Sequence, residues 1–275
     1  MATGLALHVG LDSVDPARYE GREGTLVACE NDAHDVARLA RAAGFESTVL
    51  LTPEGTVANV TAVLGGAAAR LGPGDILLFG YSGHGGQVPD ENDGSAATGS
   101  DDEPDALDET LVPYDRQFLD DEVQRAFSAF ADDVRIVAFF DCCHSGGSIE
   151  IPRGPVADAT ARFMPEPQQR QLYDRDRGFH AELRRSPADS RPRNGAGPDA
   201  LLVSACQDNQ EASDGDVNGA FTEALLQVWD DGAFRGGHRD FHRSIQRRLP
   251  PTQSPNLYLT ATPDQEFVDQ RPFTV

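Results

Sequence analysis

Lysine is absent from this sequence: all 23 basic residues are arginine, against 45 acidic residues, for a formal net charge of -22. The missing lysine is a compositional trait of the kind that GC-rich genomes impose and says nothing of mechanism. The shortage of positive charge does exclude partners. Nucleic acid and anionic membranes are bound through basic faces, so neither suits a chain this acidic; basic substrates or cations do. A soluble, self-repelling surface accounts for much of the acidity but not for its clusters. Cysteine is scarce too, at positions 29, 142, 143 and 206 only, which excludes a disulfide framework and suggests a reduced, cytoplasmic protein. No apolar run approaches the roughly 18 residues of a membrane-spanning helix. The opening MATGLALHVGLDSVD lacks the basic start and long apolar run of a secretory leader.

What is present reads as globular: 275 residues, 39% hydrophobic and 25% charged, long enough to bury a substantial core. Apolar runs alternate with amphipathic stretches. Strands are expected at 5–11, 47–52, from 75 into a glycine-rich loop, at 135–141, 200–206 and 256–260. Helices are expected at 31–45, 55–71, 120–133, 220–231 and 239–249. Such alternation implies an α/β fold with a largely parallel sheet. Two segments interrupt it. Residues 88–109 form an acidic, small-residue stretch read as a solvated loop, and 151–198 an arginine- and proline-rich stretch read as a mobile linker with at most a short helix.

In open α/β sheets, sites form at the carboxyl ends of strands. Two expected strands end in reactive groups: YSGHGG at 81–86 and DCCHSG at 141–146. A thiol attacks a carbonyl as thiolate, which a nearby imidazole or an amide-rich turn favours. The glycines allow close approach and offer N–H groups to an oxyanion. From the residues alone, Cys142 and Cys143 could be a zinc site, a redox pair, buried packing or a nucleophile. Consecutive Cys-Cys-His lacks the gaps of structural zinc motifs, and a redox pair wants C-x-x-C. Adjacent residues on a strand point to opposite faces, so only one of the two cysteines faces a site.

YSGHGGQ (81–87), DETLVPYD (108–115) and DCCHSG (141–146) come in this order, with ACENDA (28–33) upstream. SACQDNQEASD (204–214) and GAFTEALL (219–226) lie downstream. Together these motifs resemble a metacaspase or prokaryotic orthocaspase of the caspase-like cysteine peptidases. The resemblance implies a single-domain, caspase-like α/β/α sandwich with a mostly parallel central sheet. A p20-like part (1–150) and a p10-like part (199–275) would flank the linker (151–198). It implies Cys143 as nucleophile, His84 as general base and acid, and the N–H groups of Gly85 and Cys143 as oxyanion hole. Asp32, Ser82 and Asp141, with Cys29 beside them, would line an acidic pocket for the P1 residue, the one before the scissile bond. That pocket suits arginine, then lysine, in protein or peptide substrates. Asp32 also suits a helix N-cap. The caspase Q-A-C-x-G signature and a basic pocket for aspartate are missing.

Calcium is a further implication, through Asp108, Asp120, Asp121 and Glu150; Asp120 and Asp121 also suit helix capping. The acidic run from Asp90 is not an EF-hand loop, since its fifth rather than sixth position is glycine. An arginine-selective enzyme would find the arginine-dense linker, which includes Arg153, Arg162, Arg170 and Arg175, to be a substrate or a pocket-filling pseudosubstrate. The family expectation is a monomer. A catalytically silent scaffold that binds basic peptides or calcium is the alternative.

Overall fold

The computed structural model describes residues 2–89, 107–142, 160–185, 197–206, 210, 212–260 and 264–275. Its first strand, β1 (Gly4–Gly10), is buried along all seven residues. That is the mark of a strand covered on both faces, as parallel sheets are. The chain continues through α1 (Cys29–Ala42), β2 (Glu46–Leu51), α2 (Val57–Arg70), β3 (Ile76–Ser82) and β4 (Gly85–Pro89). Next come β5 (Leu107–Leu111), β6 (Phe118–Leu119), α3 (Asp120–Ser128), β7 (Arg135–Asp141) and α4 (Glu166–Arg185). Last are β8 (Asp199–Ser204), α5 (Ala220–Trp229), α6 (His238–Gln246), β9 (Asn256–Leu259) and α7 (Gln265–Asp269).

The main sheet runs β2-β1-β3-β7-β8-β9, parallel except for β9. Side chains alternate across it. Leu5, Leu7, Val9, Leu77, Phe79, Tyr81, Ile136, Ala138 and Phe140 face α2, through Val57, Val60, Leu64 and Ala67, and α3, through Val123. Ala6, Ile76, Leu78, Val137 and Phe139 face α1, α5 and α6, through Val36, Leu39, Phe221, Trp229, Phe241 and Ile245. The result is the expected single α/β domain of three layers. Each fully buried aliphatic or phenyl side chain stabilises it by about 1.5–3 kcal/mol. Among the described residues, no helix is long and apolar enough to cross a membrane.

Two expectations are corrected. The ends of the acidic stretch are strands, not loop: β4 pairs antiparallel with β5, and β5 with β6, in a second sheet of three strands. Glycine is depleted in strands, so Gly85 and Gly86 disguised β4; the buried Val88 and Leu111 fix its pairing with β5. The linker contains more than a short helix, since α4 has 20 residues. Its run of Gln, Arg, Leu and Glu is made of good helix formers. The acidic loop itself, at 90–106, lies outside the described residues.

Candidate active site

Strands β3 and β7 end side by side, with Ser82 opposite Asp141 in the parallel register. By strand alternation both side chains face α1 and α5. There they meet Asp32, in the first turn of α1, and Asp214, just before α5. Asp32 does not cap α1. Asp12 does, its Oδ1 accepting from the N–H groups of Cys29 (2.9 Å) and Glu30 (3.1 Å). Asp32 is left free to face the site.

Between these groups lies Arg162, its side chain completely buried. Its Nη2 is 2.7 Å from Asp32 Oδ2 and 2.9 Å from Asp214 Oδ1, and its Nη1 is 2.9 Å from Asp141 Oδ2. Nη1 also donates to Ser82 Oγ at 2.7 Å, and Nε to Asp214 Oδ1 at 3.3 Å. Every N–H of the guanidinium therefore has a partner. The carboxylates are held in turn. Asp32 Oδ2 accepts from Ser82 Oγ (2.7 Å), and its Oδ1 from the N–H of Gly219 and the amide of Asn218 (both 3.0 Å). Asp141 Oδ2 accepts from the Thr222 hydroxyl at 2.7 Å and backbone N–H at 3.1 Å. Burial raises Asp32 to about 6, although Arg162 pulls the other way. A Cβ at Gly219 would come within 2.5 Å of the guanidinium carbon, so only glycine leaves room for the head group.

The backbone around Arg162 is held as an added strand. The Arg162 N–H donates to Ala212 O (3.1 Å), and the Asp214 N–H to Thr160 O (2.9 Å), in an antiparallel bridge. On the other side the Gly85 N–H donates to Arg162 O at 3.1 Å, and the Met164 N–H to Gly85 O at 3.0 Å. The carbonyl of Arg162 thus sits on the N–H that the sequence assigned to an oxyanion hole.

His84 is the residue before Gly85. Its Nε2 lies 2.8 Å from the carbonyl oxygen of Gly24. A carbonyl only accepts, so Nε2 carries the proton and Nδ1 of the neutral ring is bare. Nδ1 is buried without a partner among the described residues, and burial lowers the ring's pKa. The arrangement is a neutral imidazole ready to accept a proton. Gly24 adopts φ +54, and a Cβ there would meet His84 Nε2 at 3.0 Å.

The structure brings His84, Gly85, Asp32, Ser82 and Asp141 to one place, with Cys29 in the wall. Burial pushes the Cys29 thiol up, so it is inert beside the pocket. Cys142 is fully buried in the core. Cys143 and Glu150 lie outside the described residues. Asp108 (β5) and Asp120 (α3) form a separate acidic spot. Burial, with the charge of Asp108 second, raises Asp120 to about 7. Asp121 follows it, its N–H donating to Asp120 Oδ1 at 2.7 Å. No metal-binding group of three such side chains comes together among the described residues. Sequence reasoning missed Asp214, Gly219, Thr222 and Gly24; the only available signal was the position of the first three within or next to quoted motifs.

Three comparisons bear on this arrangement. A solved protein structure from Geobacter sulfurreducens is 42% identical, with a TM-score of 0.84 and 99% of each chain covered. The crystal structure of Caspase-1 from Spodoptera frugiperda superposes with a TM-score of 0.54 at 12% identity, over 94% of this chain and 88% of that one, a likeness of fold alone. Metacaspase-1A of Aspergillus clavatus is 36% identical over 162 residues, 54% of this chain and 34% of the relative. The chain spans between 34% and 60% of the length of the first curated relatives it resembles. The caspase-domain profile, Peptidase C14, matches residues 4–266, and the chain belongs to that family.

Proposed function

We propose that this protein is a cysteine endopeptidase that cleaves after arginine, and less well after lysine, using a His84–Cys143 dyad. One observation carries this reading: Arg162 lies as a P1 residue would, its guanidinium among Asp32, Asp141, Asp214 and Ser82 and its carbonyl on the Gly85 N–H. A lysine ammonium has three donors on one atom and cannot engage all four groups, which ranks arginine first.

In the reaction, Nδ1 of His84 takes the proton of the Cys143 thiol, and the thiolate adds to the P1 carbonyl carbon. The Gly85 and Cys143 N–H groups stabilise the oxyanion. His84 returns the proton to the departing amine, and water then hydrolyses the acyl-enzyme. Gly24 O holds the ring in the tautomer that these steps need. The bond after Arg162 is the first substrate, and its cleavage opens the pocket.

Calcium is proposed as the activator. Asp108 and Asp120 offer hard oxygen donors, to which the family resemblance adds Asp121 and Glu150; burial first and the Asp108 charge second raise the pKa of Asp120, a shift that positive charge nearby would oppose. When bound, the cation would supply that charge. A silent scaffold binding basic peptides would share the acidic pocket. A fluorogenic panel with Arg, Lys or Asp at P1, run with calcium and with chelator on wild type and Cys143→Ala, separates the readings. Turnover in the order Arg, Lys, Asp, lost in the variant, supports the peptidase; none in either favours the scaffold.

A further inference from the structure

The chain beyond Arg162 is held as closely as the arginine itself. Phe163 pairs with Gly85 in a parallel bridge. Met164 then turns its side chain into an apolar cluster with Val14, Tyr19 and Val112 from the body of the domain and Leu172 from α4. All five are buried. The walls are fixed. The Tyr19 hydroxyl donates to Pro113 O at 2.7 Å, so that ring turns no unpaired polar atom to Met164. The Val112 N–H donates to His84 O at 3.0 Å, and the Val14 N–H to Glu23 O at 2.8 Å, one residue before the carbonyl that orients His84. Both valines are therefore tied to the backbone that positions the histidine. Among these five side chains only Tyr19 carries a polar atom, and that hydroxyl is committed to Pro113 O, so a charged residue in place of Met164 would meet no partner within the cluster.

We propose that Val14, Tyr19 and Val112 form a subsite for the second residue after the scissile bond, and that it selects an apolar side chain such as methionine. The inference rests on the reading of Arg162–Phe163 as a bound scissile bond. It adds a second specificity element to the arginine pocket: preferred substrates carry arginine, any residue, then an apolar residue. The self-substrate Arg162-Phe163-Met164 fits that pattern.

The test uses internally quenched peptides Thr-Ala-Arg-Phe-Xaa-Pro with Xaa Met, Leu, Asp or Arg, alongside an arginyl-coumarin amide with nothing after arginine. Full-length wild type, Arg162→Ala, Val14→Ala and Val14→Asp are compared. The expected result is a kcat/KM about tenfold or more higher for Met and Leu than for Asp. That ratio shrinks in Val14→Ala. In Val14→Asp the Arg peptide gains on the Met peptide, a reversal that misfolding cannot mimic. Equal kcat/KM across the four peptides, with arginyl-coumarin cleaved, overturns the subsite and leaves the peptidase standing. Failure to cleave arginyl-coumarin as well overturns the peptidase reading and the subsite with it.

Discussion

Arg162 and Asp32 are 130 residues apart in sequence and 2.7 Å apart in space, with side chains 0% and 1% exposed. A charge pair this deep is costly to break, because the remaining partner stays desolvated. Arg162→Ala leaves Asp32, Asp141 and Asp214 without their shared cation. The expected loss of stability is about 3 kcal/mol near neutral pH. A small guanidinium compound added in excess should restore part of it by binding the folded protein alone. Denaturant titration with and without the compound reads both effects.

The same pocket sets a pH dependence. Asp32 stands at about 6 with a guanidinium present, and the guanidinium lowers it, so in the empty pocket it stands higher still. A group whose pKa falls on binding gives full affinity above its free value and loses affinity as pH drops towards its bound value. For the Arg162→Ala protein, kcat/KM on arginine substrates is expected to fall as pH decreases towards about 6. Burial lowers the pKa of His84, so its titration lies on the acid side of a free imidazole's. The slope should vanish in a further Asp32→Asn variant, at lower overall activity.

Gly219 tests steric fit without backbone strain. Its φ of -60 and ψ of 150 suit any residue, yet an added Cβ would come within 2.5 Å of the guanidinium. Gly219→Ala is expected to lower kcat/KM for arginine substrates by about 100-fold or more, while thermal stability changes modestly. Unchanged arginine turnover would mean that the head group binds elsewhere.

Gly24 tests the histidine. Alanine there meets both an unfavourable φ and the His84 ring. The expected outcome is a lower kcat with KM little changed, since the carbonyl orients the base and does not touch P1.

Much of this was legible in the sequence. The continuous apolar runs of β1, β3 and β7 announced a parallel sheet, and YSGHGG and DCCHSG stand at strand ends because their apolar lead-ins are core strands. Asp214 was less legible, because its role depends on where the chain folds back after β8. Arg162 was hidden for another reason. It is one of many arginines in the linker, and nothing local distinguishes it; the antiparallel bridge between its neighbour Ala161 and Ser213, with the Gly85 N–H on its carbonyl, selects it. Glycines concealed β4, and polar helix formers concealed the length of α4.

The central claim is that Arg162 is seated as the residue before a scissile bond. Its most direct test is intact-mass and amino-terminal sequence analysis of the purified full-length chain after incubation with calcium, beside Cys143→Ala and Arg162→Ala. The account predicts a new fragment beginning at Phe163 in the wild type and in neither variant. Cleavage at another arginine with the Arg162–Phe163 bond intact, or the same cut in Cys143→Ala, would contradict it.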